Sequence, residues 1–395
     1  MSRIDDLIAK YCPKGIEYVS LGKSCEISTG KGITTKDVNN DGLFPIISGG
    51  VKPMGFYDKY NRNENTVTIV RAGTAGFVDF IQKKFWLNDK CFSIIPLAEY
   101  AEKIHAKFMF YYLKNKEVEI IQMKSTGSVP TINTQKVSKI LIPVPPLPVQ
   151  QEIVRILDSF SELEKELEKE LETREKQYEY YRNQLLSFGE GGDHACDVKI
   201  GTVKDIVSDS FWIMPPTPKY ITVGIPYITS KNIGEGKISF DNIKYISHED
   251  FENISAKRPI LPGDILISMI GTLGNTAIVS EEYGDFYGQN MFLLRLNPSV
   301  MLVKYFMYFF NSVKIKNYLN AIKNNSGQGY LKTQHIENLE IPIPPLAEQE
   351  RIVAILDKFD ALVNDISVGL PAEIDARRKQ YEYYREKLLT FPKAE

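Results

Sequence analysis

No stretch of this 395-residue chain approaches the roughly 18 apolar residues that a bilayer-spanning helix needs, so a membrane span is not expected. The amino terminus, Met1-Ser2-Arg3-Ile4-Asp5-Asp6, has acids where a secretion signal needs a basic flank and an apolar core, and the expected location is the cytoplasm. Cysteine is scarce. Cys12, Cys25, Cys91 and Cys196 lie far apart, no CxxC pair occurs, and the four histidines are equally dispersed. Neither a disulfide framework nor a zinc site is supported. There is no GxxxxGK[ST] phosphate loop, and no GxSxG, HExxH or GxGxxG. The Asn/Asp-Pro-Pro-Tyr/Phe word of amino-methyltransferases is also missing: Pro215-Pro216 follows Met214, and Asn297-Pro298 is followed by Ser299. No catalytic constellation is found, and the plentiful carboxylates sit on amphipathic stretches that read as solvated helix faces. A net charge of −2 gives no sign of a strongly basic nucleic-acid binder.

What the chain does have is a repeat. Residues 141–160 read LIPVPPLPVQQEIVRILDSF and residues 340–359 read EIPIPPLAEQERIVAILDKF, an offset of 199. Residues 177–188 read QYEYYRNQLLSF and residues 380–391 read QYEYYREKLLTF, an offset of 203. The unit is therefore about 200 residues, with four extra residues between the matched words in the second copy. Four residues is close to one helical turn, so an insertion within a helix would keep the apolar stripe on nearly the same face. The stretch before each Pro-rich word is mostly unlike its counterpart. A constant part suits one partner bound twice, and a varied part suits two different targets; simple structural repetition is the bland alternative.

Each constant part opens with Pro-x-Pro-Pro, an extended lead-in. A helix follows, expected from about Asp158 to Phe188 and about 46 Å long. Its apolar positions Ile153, Leu157, Phe160, Leu163, Leu167, Leu171, Tyr178, Tyr181, Leu185 and Phe188 are spaced as a coiled-coil seam. The second copy repeats the seam, but Gly369-Leu370-Pro371 predicts a break or kink. Two such helices, one mid-chain and one C-terminal, suit antiparallel pairing. They serve as internal struts, or their outward side chains also dock another protein. For that role the candidates are Gln177, Tyr178, Tyr181 and Arg182, with Gln380, Tyr381, Tyr384 and Arg385 in the second copy.

Charge is uneven. Residues 1–150 carry 20 Lys+Arg against 14 Asp+Glu, whereas residues 191–345 carry 14 against 15. The first varied part thus suits phosphate contacts, and the second needs a local basic face. Both read as mixed β and α, with Gly/Asn-rich turns between short apolar runs and a Phe/Tyr-rich helix at about 104–123 and 302–322. Arg71-Ala72-Gly73-Thr74-Ala75-Gly76 parallels Met269-Ile270-Gly271-Thr272-Leu273-Gly274. Small residues at strand ends let a backbone approach a ligand, and Lys, Arg, Asn, Gln and Ser read base edges and hold phosphates. In the first part the candidates are Lys31, Lys36, Ser48, Lys52, Asn61, Arg62, Asn63, Arg71 and Thr74. In the second they are Ser230, Lys231, Asn232, Thr272, Asn275, Gln289, Asn290 and Gln328. Ordinary surface turns are the alternative for any one of them.

The Pro-x-Pro-Pro-Leu-x-x-Gln-x-x-Ile-Val-x-Ile-Leu-Asp word and the Gln-Tyr-Glu-Tyr-Tyr-Arg helix resemble the specificity (S) subunit of type I restriction-modification systems, over essentially the whole chain. The words Ser48-Gly49-Gly50-Val51-Lys52-Pro53-Met54-Gly55-Phe56-Tyr57-Asp58 and Arg71–Gly76 look like target-recognition-domain words. The resemblance implies an α+β chain with two mixed α/β target recognition domains in pseudo-two-fold tandem. It places the domains at 1–145 and 191–344, joined by helical regions 146–190 and 345–395 that form an antiparallel coiled coil. It implies double-stranded DNA as ligand, each domain reading half of a bipartite asymmetric site. It implies two modification and two restriction subunits as partners. S-adenosylmethionine, ATP and Mg would be bound there and no cofactor by this chain, which would be non-catalytic. A specificity module of another restriction-modification class, a self-sufficient DNA methyltransferase, and a two-armed scaffold without DNA readout are the competing readings. The one Gly-Leu-Pro turn, lacking in the first helix, departs from strict pseudo-symmetry.

Overall fold

A computed structural model describes residues 2–13, 15–39, 41–125, 130–188, 198–271, 273–326, 330–365 and 367–392. The chain divides into two compact units. The first combines residues 1–169 with 373–395, and the second is residues 170–372. The unit boundaries therefore cut across the sequence repeat: each unit holds one varied domain plus helical pieces from both copies.

In the first unit a four-stranded antiparallel sheet runs Cys25–Thr29, Cys91–Pro96, Thr66–Val70, Val78–Ile81 in spatial order. All five residues of Thr66–Val70 are buried, so both faces of this inner strand are covered. A second sheet runs Phe56–Tyr57, Phe44–Ile47, Trp86–Leu87, with the last pair parallel. In the second unit the four strands are Val207–Ile213, Met291–Leu296, Ile265–Ser268 and Thr276–Ile278, and the three are Lys244–Ile246, Ile225–Thr229 and Tyr287–Gln289. Order and directions repeat, including the parallel pair. Two unlike sequences thus share one α+β topology.

The aromatic helices form as Ala106–Asn115 and Val303–Phe310, each burying Phe and Tyr against its own sheet and long helix. The Pro-rich words are strand ends: Leu141–Pro143 pairs with Tyr18–Ser20, and Glu340–Ile343 with Lys199–Thr202. The helix after the first word begins earlier than its apolar stripe suggested. It runs Leu147–Leu186, 40 residues without interruption, or about 60 Å. Pro148 does not prevent this, because a first-turn proline lacks only an N–H that has no intrahelical partner anyway. In the second copy the expected break is present, between Leu346–Asn364 and Leu370–Leu389. The extra residues go into this turn and do not lengthen a helix. Asp365 accepts from the Ser367 N–H at 2.7 Å, and a Cβ on Gly369 would lie 2.6 Å from the Ala361 and Asp365 carbonyls.

One buried amide recurs. Gln150 is fully buried; its Oε1 accepts from the His105 N–H (2.8 Å), and its Nε2 donates to the Lys103 carbonyl (2.7 Å) and the Pro145 carbonyl (2.5 Å). Gln349 does the same with Leu302, Val300 and Pro344. Each glutamine thereby ties the entry of an aromatic helix to the Pro-rich word. Gln150→Leu keeps the volume but strands three backbone groups, and is expected to cost about 2–4 kcal/mol. Equilibrium urea denaturation checks it; a loss below about 0.5 kcal/mol would show the amide to be dispensable.

Candidate nucleic-acid interface

At one end of the first domain, several loops lock together through their backbones. The Thr74 N–H and hydroxyl both donate to the Gly49 carbonyl, at 2.8 and 3.1 Å. Gly73 has φ +98°, and a Cβ there would lie 2.3 Å from the Gly49 carbonyl oxygen. A Cβ on Gly49 would lie 2.5 Å from the Ala72 carbonyl oxygen. The glycines are therefore demanded by contact between two turns. Arg71 and Ala72 N–H groups donate to the Lys90 carbonyl, and the Ile132 N–H to the Arg71 carbonyl. The Lys31 N–H donates to the Leu87 carbonyl, and the indole of Trp86 to the Lys31 carbonyl. The structure so brings Lys31, Ser48, Arg71 and Thr74 to one end of the domain.

Their exposure differs. Lys31, Lys36, Lys52 and Thr74 are exposed; Ser48 is buried, and its carbonyl accepts from the Cys91 thiol at 2.8 Å. Lys36 rides on a short turn capped by Asp37, whose carboxylate accepts from the Thr34 N–H and hydroxyl and is held below its usual pKa by those bonds. The Arg71 guanidinium lies 5.6 Å above the Phe92 ring, and its Nη1 reaches the Asp89 carbonyl at 3.5 Å. Its Nε is buried without a protein partner. Lys90, which sequence reasoning missed, is exposed with its stem against Gly49. No turn word marked it.

Asn61 and Arg62 are committed elsewhere. Both ends of the Asn61 amide bond to Leu87, donating to its carbonyl at 3.0 Å and accepting from its N–H at 2.7 Å. Arg62 lies across the outer strand pair, donating to Ser93 Oγ (2.8 Å), Ser28 Oγ (3.1 Å) and the carbonyls of Thr29 and Asn61. Burial pulls its pKa below the usual value. Asn63 is exposed beside it, in a cleft also lined by Glu26 and Glu64, two charges that disfavour a polyanion.

The matched end of the second domain has the same backbone plan with different side chains. Where the first has Arg71, the second has Met269, fully buried. Ser230 is buried and Lys231 exposed. Asn232 Oδ1 accepts from the Thr229 N–H (3.0 Å), and its Nδ2 donates to the carbonyls of Ser239 and Asp241. Asn275 Nδ2 donates to the Ile233 carbonyl at 3.2 Å. Asn290 takes φ +66°, and its carbonyl accepts from the Met269 N–H. Gln289 is half-buried, with its Oε1 accepting from the Tyr227 hydroxyl at 3.4 Å. Thr272 and Gln328 lie outside the described residues.

On the helices, the repeated Tyr-rich word works mostly inward. Tyr178 and Tyr181 stack on Phe359, at ring separations of 6.2 and 5.3 Å. Tyr381 and Tyr384 flank Phe160 at 6.3 and 5.4 Å. Burial pushes the Tyr178 hydroxyl up to about 12. Arg182 lies over Tyr178 and bonds Glu179; Arg385 lies over Tyr381 and bonds Asn115. Gln177 accepts from Arg174, and Gln380 from Arg377. The most exposed tyrosine of each word is its middle one, Tyr180 at 59% and Tyr383 at 60%, which the sequence reading passed over; Tyr181 is also open, at 45%.

The sequence model of the type I restriction modification DNA specificity domain matches residues 13–173 and again 214–376. The chain belongs to this family. A Haemophilus influenzae protein named as a type I restriction enzyme specificity subunit is 33% identical over 87% of this chain and 89% of its own. The EcoR124I/EcoR124II specificity subunit of Escherichia coli is 30% identical over 96% of this chain and 95% of its own. The crystal structure of a type I S subunit from M. genitalium shares the fold, with a TM-score of 0.60 at 18% identity over 95% of this chain and 96% of that one. As a type I specificity chain, the protein carries the two family domains in tandem, each match running from a recognition domain into the helix that follows it.

Arg71 is the cation that this family chain has in one domain and lacks in the other. Arg71→Ala is expected to weaken binding of DNA carrying the first half-site by about 1–3 kcal/mol. Fluorescence anisotropy at fixed salt measures it, and unchanged affinity together with an unchanged methylation pattern would make Arg71 structural.

Proposed function

We propose that the chain is the non-catalytic DNA-reading subunit of a type I restriction-modification complex, each recognition domain taking one half of a bipartite asymmetric site. The observation that carries this is the pairing of one sheet topology with two different sets of side chains at its loop end, Arg71 and Lys90 in one and Met269 and Asn290 in the other. Equal scaffolds with unequal loops suit two unequal half-sites. The excess of basic residues in 1–150 supplies phosphate contacts in the first half, and Lys231 is a local cation in the second. The uninterrupted helix of about 60 Å is longer than one DNA turn of roughly 34–36 Å, which supports a role in spacing the half-sites.

In this reading two modification subunits dock on the helices, and two restriction subunits join them in the cytoplasm. One relative comes from a structural study of complex assembly and conformational transition in a type I system (TM-score 0.63, 17% identity, 95% of this chain and 98% of that one). S-adenosylmethionine, ATP and Mg belong to those partners, and the target base is flipped into the modification subunit. Tyr180 and Tyr383 are the docking residues the geometry favours: large, aromatic, exposed, and equivalent in the two words.

Base-resolution methylation mapping tests the function. DNA from cells expressing the chain with its modification subunit should gain an N6-methyladenine motif split by a fixed gap. No motif despite a stable complex would favour a scaffold, and S-adenosylmethionine binding to the isolated chain in calorimetry would favour a self-sufficient methyltransferase. The double variant Tyr180→Ala, Tyr383→Ala should lower recovery of the modification subunit in pull-downs about tenfold or more without lowering the melting temperature. Full recovery would place the docking surface elsewhere.

A further inference from the structure

One side-chain constellation outside the loops occurs in both units. Asp158 accepts from Lys107 Nζ at 2.7 Å and from the Tyr111 hydroxyl at 2.5 Å. Asp357 accepts from Lys304 Nζ and the Tyr308 hydroxyl, both at 2.7 Å. In each case the lysine and tyrosine are four apart on the aromatic helix, and the aspartate lies eight residues beyond the buried glutamine on the long helix. The surrounding domain sequences are mostly unlike, yet this triad and the glutamine clamp are kept together. Burial, and then the carboxylate, push both tyrosine hydroxyls well above their usual pKa, so they stay protonated donors.

Stability alone does not account for the second triad, and the first is more enclosed, with Lys107 and Asp158 25% and 27% exposed. The Lys304–Asp357 side chains are 62% and 38% exposed, and pairs this open contribute little net stability. What they contribute is geometry. The glutamine and the apolar side chains between it and the aspartate, Ile153 and Leu157 in one copy and Ile352 and Leu356 in the other, seat the domain on its helix, but apolar contact is not directional. A second polar fastening eight residues on, about 12 Å along the helix, adds the direction that apolar contact lacks.

We propose that Asp158 and Asp357 are positioning residues that fix the pose of each recognition domain on its own helix and so set how strictly the gap between half-sites is read. The inference rests on the bipartite reading proposed above. Its test is methylation mapping with the whole chain and its modification subunit, comparing wild type with Asp158→Asn/Asp357→Asn and with Tyr111→Phe/Tyr308→Phe. The second variant removes only two hydroxyls and decides the matter if the first does not assemble. The expected result is the same two half-sites, with methylation at gaps one base pair longer or shorter raised about tenfold over wild type. A gap as strict as wild type, with methylation unchanged or uniformly lower, overturns the inference and leaves the proposed function standing. A wild-type chain that yields no split motif overturns both.

Discussion

Phe160 and Phe359 are each held between two tyrosines that come from the other repeat. In the first unit, tyrosines of the second repeat's word close on the first repeat's helix; in the second unit the exchange runs the other way. The folding unit is consequently not the duplicated sequence unit. Ion pairs stand beside the aromatic clamps. Arg378 bridges Glu164 and Glu168 at 2.6 Å each, but the arginine is 54% exposed, and open pairs of this kind contribute about 0–1 kcal/mol. The aromatic clamps, half-buried except for Tyr178, which is buried, and Tyr181, which is exposed, add apolar area and ring stacking to this. In the first unit the Arg378 contacts, the Phe160 stack and the burial of Leu388, Leu389 and Phe391 against Phe108 and the helix start follow one another in antiparallel order.

Closing the frame with the helices releases the domains from identical sequence. Both keep the strand order, a buried serine at the end of the middle strand of the smaller sheet, a positive-φ glycine pair and a fastening to the long helix. None of these restricts which side chains project from the loops. Arg71 can become Met269, and the three-residue turn 88–90 can become Asn290 alone, without disturbing the sheets behind them. The geometry is carried by backbone contacts between glycines, and the chemistry by what stands beside them.

The parts legible in the sequence are those written in periodicity and punctuation. The seam spacing placed Tyr178 inward, where it is buried, and leaves Tyr180 and Tyr383 outside, while Tyr181 stacks on Phe359 and is still 45% exposed. Gly369 and Pro371 announced the helix break, because a side chain at Gly369 meets backbone and Pro371 suits a first turn. The start at Leu147 was hidden, since the residues that begin the helix continue a Pro-rich word that reads as extended. Lys90 and the double role of Gln150 were not legible, because their partners lie far off in sequence: Arg71 for one, Lys103 and His105 for the other.

The asparagines carry the sharper lesson. Loops at the end of a sheet leave peptide groups that no ladder satisfies, and an amide offers a donor and an acceptor on one short side chain. Asn61, Asn232 and Asn275 are turned inward to meet that need. Their abundance in the loops therefore reflects how the loops hold themselves up. The exposed lysines are different, for a lysine has no acceptor and gains little from closing a turn. Among the described loop residues Lys31, Lys36, Lys52, Lys90 and Lys231 project as exposed cations, and the Arg71 guanidinium lies over Phe92. The same division explains how one domain tolerates a methionine at the Arg71 position: the loop there is held by backbone bonds, Arg71 N–H to the Lys90 carbonyl in one domain and Met269 N–H to the Asn290 carbonyl in the other, that do not use the side chain.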